Sequence, residues 1–249
     1  MKNFFKVILL LLFVSFSIQS FSQIKFQAGV KAGLTVSSIR QNFSGDYSDW
    51  ELDNPLPRLL YTVGPCFDIS FSDMISLQPA FLLTGKGTGV NVKEEYDADK
   101  GYDRWTVHFL EIPINVAFKF KGFQAYAGPF VAIALSGKNK WDIDFDGESD
   151  SDSESLKFGS PVDIEDLDSE YDFLAYHFKR FDYGLNIGAG YKLGPILFSA
   201  GYSLGLANLT PDLNGEEEYI GESFDPKDAK RSTGTFSVTV SYFFGKWKE

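Results

Sequence analysis

The chain has 249 residues, of which 44% are hydrophobic, 23% charged and 16% aromatic, a mixture that excludes a disordered tail or a collagen-like rod. Its 23 Lys and Arg stand against 34 Asp and Glu, a net charge of −11, which repels a phosphate backbone and argues against nucleic acid as a partner. Twenty-five Phe, 12 Tyr and 4 Trp beside 23 Gly, with one Cys and two Met, lean the composition towards strands.

Residues 1–22 open with Lys2 and Lys6, continue through the apolar stretch from Val7 to Val14 and close on Ser20, Phe21 and Ser22. The apolar core falls short of the roughly 20 residues that span a bilayer as a helix. The segment therefore reads as a signal peptide cut near Ser22–Gln23, leaving residues 23–249 as one domain. No Cys stands at the cut to carry a lipid. Cys66 is alone in the chain, so disulfides do not hold the fold together.

Past the leader no apolar run approaches spanning length as a helix, but period-two alternation recurs eight times. The first segment sets Phe26, Ala28, Val30, Ala32, Leu34 and Val36 on one face. The second sets Leu59, Tyr61, Val63, Pro65, Phe67, Ile69 and Phe71 opposite Thr62, Gly64, Cys66, Asp68 and Ser70. In the third, Ile75, Leu77, Pro79, Phe81 and Leu83 alternate with Ser76, Gln78, Ala80, Thr84 and Lys86. The fourth runs Leu110, Ile112, Ile114, Val116, Phe118 and Phe120 over Glu111, Pro113, Asn115, Ala117 and Lys119. At its start Trp105, Val107 and Phe109 fall on the opposite parity, which predicts a bulge or a strand already clear of the bilayer.

The fifth segment covers Phe123 to Leu135, the sixth Phe181 to Leu193, the seventh Ile196 to Leu206 and the eighth Phe236 to Phe244, each with its odd or even apolar row intact. Connections alternate in length. Tight ones fall at Ser72 to Met74, Lys121 to Gly122 and Gly194 to Pro195, while long ones fall at 40–57, 87–104, 138–176 and 208–231. The expected architecture is all-β: an eight-stranded antiparallel transmembrane barrel in the outer membrane, with short periplasmic turns and long extracellular loops. An even strand number lets the first and last strands pair and removes the open edges.

A soluble lipocalin-like barrel has the same strand number but hides its apolar face around a ligand. Here the face opposite the apolar one carries Lys25, Lys31, Asp68, Lys86, Glu111, Lys119, Arg180, Asp182 and Lys192. That many ionisable groups fit the polar lumen of a small membrane barrel and not a greasy pocket.

The segments "KFQAGVKAGLTVSSI", "SLQPAFLLTGKG", "FLEIPINVAFKF", "FQAYAGPFVAIALSG", "FDYGLNIGAGYKLGPILFSAGYSLGLANL" and "FSVTVSYFFG" follow one another in order. Together they resemble the PorT-type outer-membrane β-barrel family of Bacteroidetes over essentially residues 24–245. The L-E-I-P, A-G-P and G-x-G-Y-x-L pieces carry most of the likeness. The resemblance implies an eight-stranded outer-membrane protein, and the family's namesake is linked to type IX secretion, although most relatives look like plain barrels. It offers no catalytic signature. Phe244 resembles the aromatic C-terminal signal of outer-membrane strands, with the tail Gly245 to Glu249 departing from the usual ending.

A barrel of eight strands is just wide enough for its side chains to fill it, which disfavours an open pore. Lumenal charges must then pair, and Lys31, Lys119 and Lys192 with Asp68, Glu111 and Asp182 are the candidates for that network. The inward glycines, among them Gly33, Gly188 and Gly201, fit the tight curvature of a small barrel better than a water path.

Segment 138–176 holds thirteen acids against three lysines, nearly all of the net charge. Within it Asp142, Asp144, Asp146, Glu148 and Asp150 imitate the start of a calcium loop. Ser153 occupies the twelfth position, where a bidentate Glu is needed, and Glu154 comes one place late. A solvated acidic loop among lipopolysaccharide phosphates is the simpler reading. His108 and His177, with Ser203 or Ser136, have no spacing that supports a hydrolytic site, and no cofactor is implied. The sequence therefore points to a monomeric, non-catalytic outer-membrane barrel that presents external loops or assists a membrane assembly such as type IX secretion. Its partners are outer-membrane lipid, lipopolysaccharide and secretion-machinery proteins. A narrow porin or transporter and a calcium-binding surface protein are the alternatives.

Overall fold

Strict alternation gives each strand one greasy and one polar face, and the only arrangement that satisfies both, together with every backbone group, is a sheet closed on itself. A computed structural model of the chain describes residues 24–43, 55–91, 100–145, 148–163, 167, 175–214 and 229–245. In chain order the strands are β1 (Lys25–Phe43), β2 (Leu56–Ser70), β3 (Ile75–Pro79), β4 (Leu82–Asn91), β5 (Lys100–Phe120), β6 (Phe123–Phe145) and β7 (Glu148–Ser155). They continue with β8 (Lys157–Phe158), β9 (Val162–Asp163), β10 (His177–Phe178), β11 (Phe181–Leu193), β12 (Ile196–Gly205), β13 (Leu213–Asn214) and β14 (Ala229–Phe243).

The ring runs β1, β2, the β3–β4 pair, β5, β6, β11, β12 and β14, and closes where β14 meets β1. These are the eight staves expected, all antiparallel to their neighbours. β3 and β4 are one stave interrupted at Ala80 and Phe81, with Ala80 bridged to Cys66. At the seam Gly29 faces Phe243 in register, and the Phe244 amide donates to the Ala28 carbonyl at 2.7 Å. The predicted signal peptide lies outside the described residues.

The greasy rows face outward throughout. Phe26, Leu59, Phe123, Phe181, Ile187 and Leu193 are among the most exposed, each above 60%. Aromatic rings gather near the short-turn end, where Phe123 lies 4.7 Å from Tyr191 and Tyr242 lies 5.6 Å from Phe244, centroid to centroid. Such girdles belong at a membrane–water boundary. The tight turn at Lys121–Gly122 has positive φ at both residues, 47° and 85°, the geometry whose twist matches a two-residue hairpin.

The other end differs from the sequence reading. The connections at 40–57, 87–104 and 138–176 are shorter than expected because the strands continue into them. β4 and β5 stay paired as far as Asn91 with Tyr102, and β5 and β6 as far as Lys100 with Asp144. β7 then turns back along β6, from Phe145 opposite Glu148 to Lys138 opposite Ser155. Above the bilayer neither face of these strands meets lipid, so hydropathy alternation fades while the ladder continues.

The irregular start of the fourth segment also resolves. Against β6 the register slips between His108 and Phe109, so that His108 pairs with Ser136 and Phe109 with Ala134. The extra residue, Leu135, is on the neighbouring strand. Val107 and Phe109 keep the inward parity of Glu111 and are only 1% exposed. They face the lumen, but they contribute an apolar layer there.

Candidate functional site

The interior is built in layers. Nearest the short turns, Lys119 Nζ bonds both carboxylate oxygens of Asp68, at 2.8 and 2.7 Å, and Ser70 Oγ at 3.0 Å. Gln78 Nε2 donates to Asp68 at 2.9 Å and to Gln124 Oε1 at 3.0 Å. Lys192 Nζ donates to Gln27 Oε1 at 2.8 Å and sits 4.9 Å from the Phe243 ring. Asp68 and Lys119, two members of the network proposed from the sequence, thus meet, and Lys192, a third, sits beside them.

Cys66, Ala80, Leu82, Leu197 and Phe243 form a small buried apolar cluster in the same half of the lumen. At mid-height lies a cavity of about 50 Å³ lined by Lys31, Thr35, Thr62, Thr84, Glu111, Asn115, Tyr126, Asn186, Thr235 and others. It is polar and has room for a few waters. The Oδ1 atoms of Asn115 and Asn186 have no protein partner among the described residues. Gly188 and Gly201 face each other across β11 and β12, and the Tyr126 ring occupies the space that their missing side chains leave. Their role is therefore to seat an aromatic ring, as well as to allow curvature.

Above the cavity is the node that sequence reading missed. Lys86 Nζ stands 2.8 Å from Glu111 Oε2 and 3.0 Å from Asp182 Oδ2, with the Lys86 and Asp182 side chains fully buried. Thr233 Oγ1 donates to the same Asp182 oxygen at 2.8 Å. The ammonium also lies 4.3 Å from the Phe130 ring and 5.2 Å from the Phe109 ring, where ring quadrupoles favour a cation. Glu111, Asp182 and Lys31 belong to the lumenal network proposed from the sequence, which left Lys86 out. Lys31 lines the cavity beside Glu111, a second lysine that balances the two carboxylates in formal charge. Parity fixes which face a residue occupies, but not which strands oppose each other across the lumen, so Lys86 had no signal beyond its inward position. Two other residues assigned inward are exposed: Lys25, paired with Asp73 at 3.1 Å, and Arg180 at the opposite rim.

A plug of connecting segments closes the far end. Leu156, Phe178, Ala207 and Leu209 pack onto Ile39, Val107, Phe109, Phe130, Ala132 and Ala134 from the barrel wall. Trp105 Nε1 donates to the Ala175 carbonyl at 2.8 Å. Arg231, 1% exposed, donates from Nη2 to the His177 carbonyl at 2.9 Å and from Nε to Thr210 Oγ1 at 3.2 Å, stacking 4.2 Å from Phe178. The described residues 156–163 and 175–178 of the long connection therefore line the barrel mouth.

The calcium-like stretch folds as the β6–β7 hairpin. Asp142 and Asp144 pair with Ser151 and Ser149, whereas Glu148 and Asp150 pair with Phe145 and Ile143. Alternation then sends the first two acids to one face and the last two to the other. Asp146 lies outside the described residues. Among the described residues no group of three or more His, Cys, Asp and Glu is placed to hold a metal ion. His108 Nδ1 lies 3.5 Å from the Tyr61 hydroxyl on the outer face, His177 is in the plug, and Ser203 lines the central cavity.

A family model described as "Outer membrane protein beta-barrel domain" matches residues 19–210. The chain belongs to this family. It is an outer-membrane protein, and the greasy exterior and ionic interior of its ring are what such a membrane requires. Among solved structures it is similar to Ail, the attachment invasion locus protein of Yersinia pestis, with 13% identity, 88% of this chain and 99% of that one covered and a TM-score of 0.38. Neisserial surface protein A shares 13% identity over 87% of this chain and 97% of its own, with a TM-score of 0.39. OprG from Pseudomonas aeruginosa shares 11% identity over 89% and 95%, with a TM-score of 0.33. The outer membrane protease OmpT from Escherichia coli shares 8% identity over 89% and 98%, also with a TM-score of 0.33. No curated protein matches the chain.

Proposed function

We propose that the mature protein, released from a leader cut near Ser22–Gln23, is a non-catalytic barrel whose filled lumen supports the structures above the membrane instead of passing solute. The observation that carries this reading is the Lys86 node lying beneath the apolar plug. A cation held between two carboxylates and two aromatic rings, with packed side chains above it, ties opposite walls together.

What this platform presents is the β6–β7 hairpin and the segments around it, to outer-membrane lipid, lipopolysaccharide and protein partners. The likeness to PorT-type barrels of Bacteroidetes makes the type IX secretion machinery the assembly to test. Deleting the gene and measuring secreted cargo and surface motility tests that role. Loss of secretion, restored by the intact gene, supports it; unchanged secretion and motility leave a barrel that serves elsewhere.

A narrow transporter is the second reading, favoured by the polar cavity of about 50 Å³ at mid-lumen. Recording single channels in planar bilayers separates the two. The filled-lumen reading predicts no stable open conductance.

A further inference from the structure

Just outside the plug, at the upper rim of the wall, lies a groove of about 740 Å³ lined by Phe158, Ser160, Lys179, Arg180, Phe181, Tyr183 and Asn208 among others. Its lower edge is greasy and faces the bilayer, since Phe181 is 64% and Tyr183 55% exposed on the outward row of β11. Its upper edge is cationic. Lys179 is engaged with Asp212 at 3.0 Å, but Arg180 is exposed and no side-chain partner is found for it among the described residues. The backbone is fixed, because the Arg180 carbonyl accepts from the Ala134 amide at 2.8 Å.

From this juxtaposition we infer that the groove binds a phosphorylated lipid of the outer leaflet, the Arg180 guanidinium holding its headgroup phosphate while an acyl chain lies along Phe181 and Tyr183. The charge complements a phosphate, whose fork-like recognition suits arginine. Ser160 and Asn208 are already bonded within the protein, to Asp212 and to Ala229, Thr210 and Arg231, which leaves Arg180 to hold the headgroup. A soluble phosphate would use the upper edge only and leave the aromatic edge without a role. The inference deepens the membrane reading by naming one lipid site on the wall.

The test uses the full mature barrel in phosphatidylcholine nanodiscs doped with bis-phosphorylated lipid A, and reads lipid A retained per barrel by native mass spectrometry. Wild type is expected to retain lipid A above its share of the disc. Arg180→Gln is expected to reduce that enrichment about fivefold, the scale of one basic group near a charged lipid. Arg40→Gln, at an exposed cation on β1, is expected to leave it unchanged, as is added inorganic phosphate. Equal enrichment in Arg180→Gln, an equal loss in Arg40→Gln, or complete displacement by inorganic phosphate overturns the inference. Heat-modifiable gel migration reports folding of each variant. A barrel that never enters the nanodisc counts against membrane residence itself, which keeps the two failures apart.

Discussion

Lys86 on β4 and Asp182 on β11 meet at 3.0 Å across the lumen, although their strands are not neighbours in the sheet. Glu111 on β5 completes the contact at 2.8 Å. The three side chains connect β4 and β5 directly to β11, which the backbone ladder joins to them through β6.

Lys86→Met is therefore expected to leave two buried carboxylates with only Lys31 to balance them, at a cost of about 3–5 kcal/mol. The urea midpoint of the folded band in detergent, read on unheated gels, measures it. Adding Asp182→Asn to Lys86→Met is expected to recover most of the loss, because Lys31 then balances the one carboxylate that remains, Glu111. An unchanged midpoint in the single variant contradicts the proposed role of the node.

Gly201 offers a test of packing. A methyl group there meets the Tyr126 hydroxyl and the Ile187 carbonyl, whereas one at Gly159 meets nothing within 4 Å. Gly201→Ala is expected to destabilise the barrel by about 1–3 kcal/mol, the usual cost of overpacking, and Gly159→Ala to leave the midpoint unchanged. Tyr126→Ala combined with Gly201→Ala separates crowding from curvature. If crowding is the cause, removing the ring abolishes the additional penalty of the alanine.

The staves, their order and their outward faces were legible because lipid on one side and polar packing on the other enforce a period of two. Phe181 to Leu193 shows it most clearly, every odd residue being exposed. Three features left no such trace. The strand ends above the bilayer, such as Glu148 to Ser155 on β7, are exposed on both faces and lose the pattern. The plug is formed by apolar residues in connecting segments, Leu156 and Phe178 among them, whose destination depends on the tertiary fold. The partner of Glu111 depends on the stagger of strands across the lumen, which places Lys86 beside it. Asp68 and Lys119 were legible as inward charges from parity alone, and their contact follows from the register near the short turns.

Charge on the outer face is expected to cost according to depth. Ile187→Arg, midway along β11, is expected to destabilise by about 2–4 kcal/mol, and Leu193→Arg at the boundary by at most about 1 kcal/mol. Equilibrium unfolding from lipid vesicles measures both, and equal costs contradict the depth assigned to these residues.

Asp212 gives a pH signature outside the membrane. The hydrogen bond from Lys179, followed by that from Ser160, holds its carboxyl below the ordinary range for aspartate. With the folded value depressed, the associated stabilisation is present above the ordinary aspartate pKa, and is lost as pH falls through the folded value. The group is well exposed, so the effect on global stability is small. Carboxyl carbon NMR through an acid titration is expected to show Asp212 titrating below free aspartate, and Lys179→Gln to move it back up. An unchanged titration in that variant contradicts the contact.

The central claim is that acyl chains cover the apolar face. Nitroxide labels at Val30 and Leu185, with Ser151 on β7 as a water-facing reference, test it in reconstituted vesicles by collision with oxygen and with a water-soluble nickel chelate. The account predicts that oxygen dominates relaxation at Val30 and Leu185 while the nickel chelate dominates at Ser151. Nickel accessibility at Val30 and Leu185 equal to that at Ser151 would contradict it.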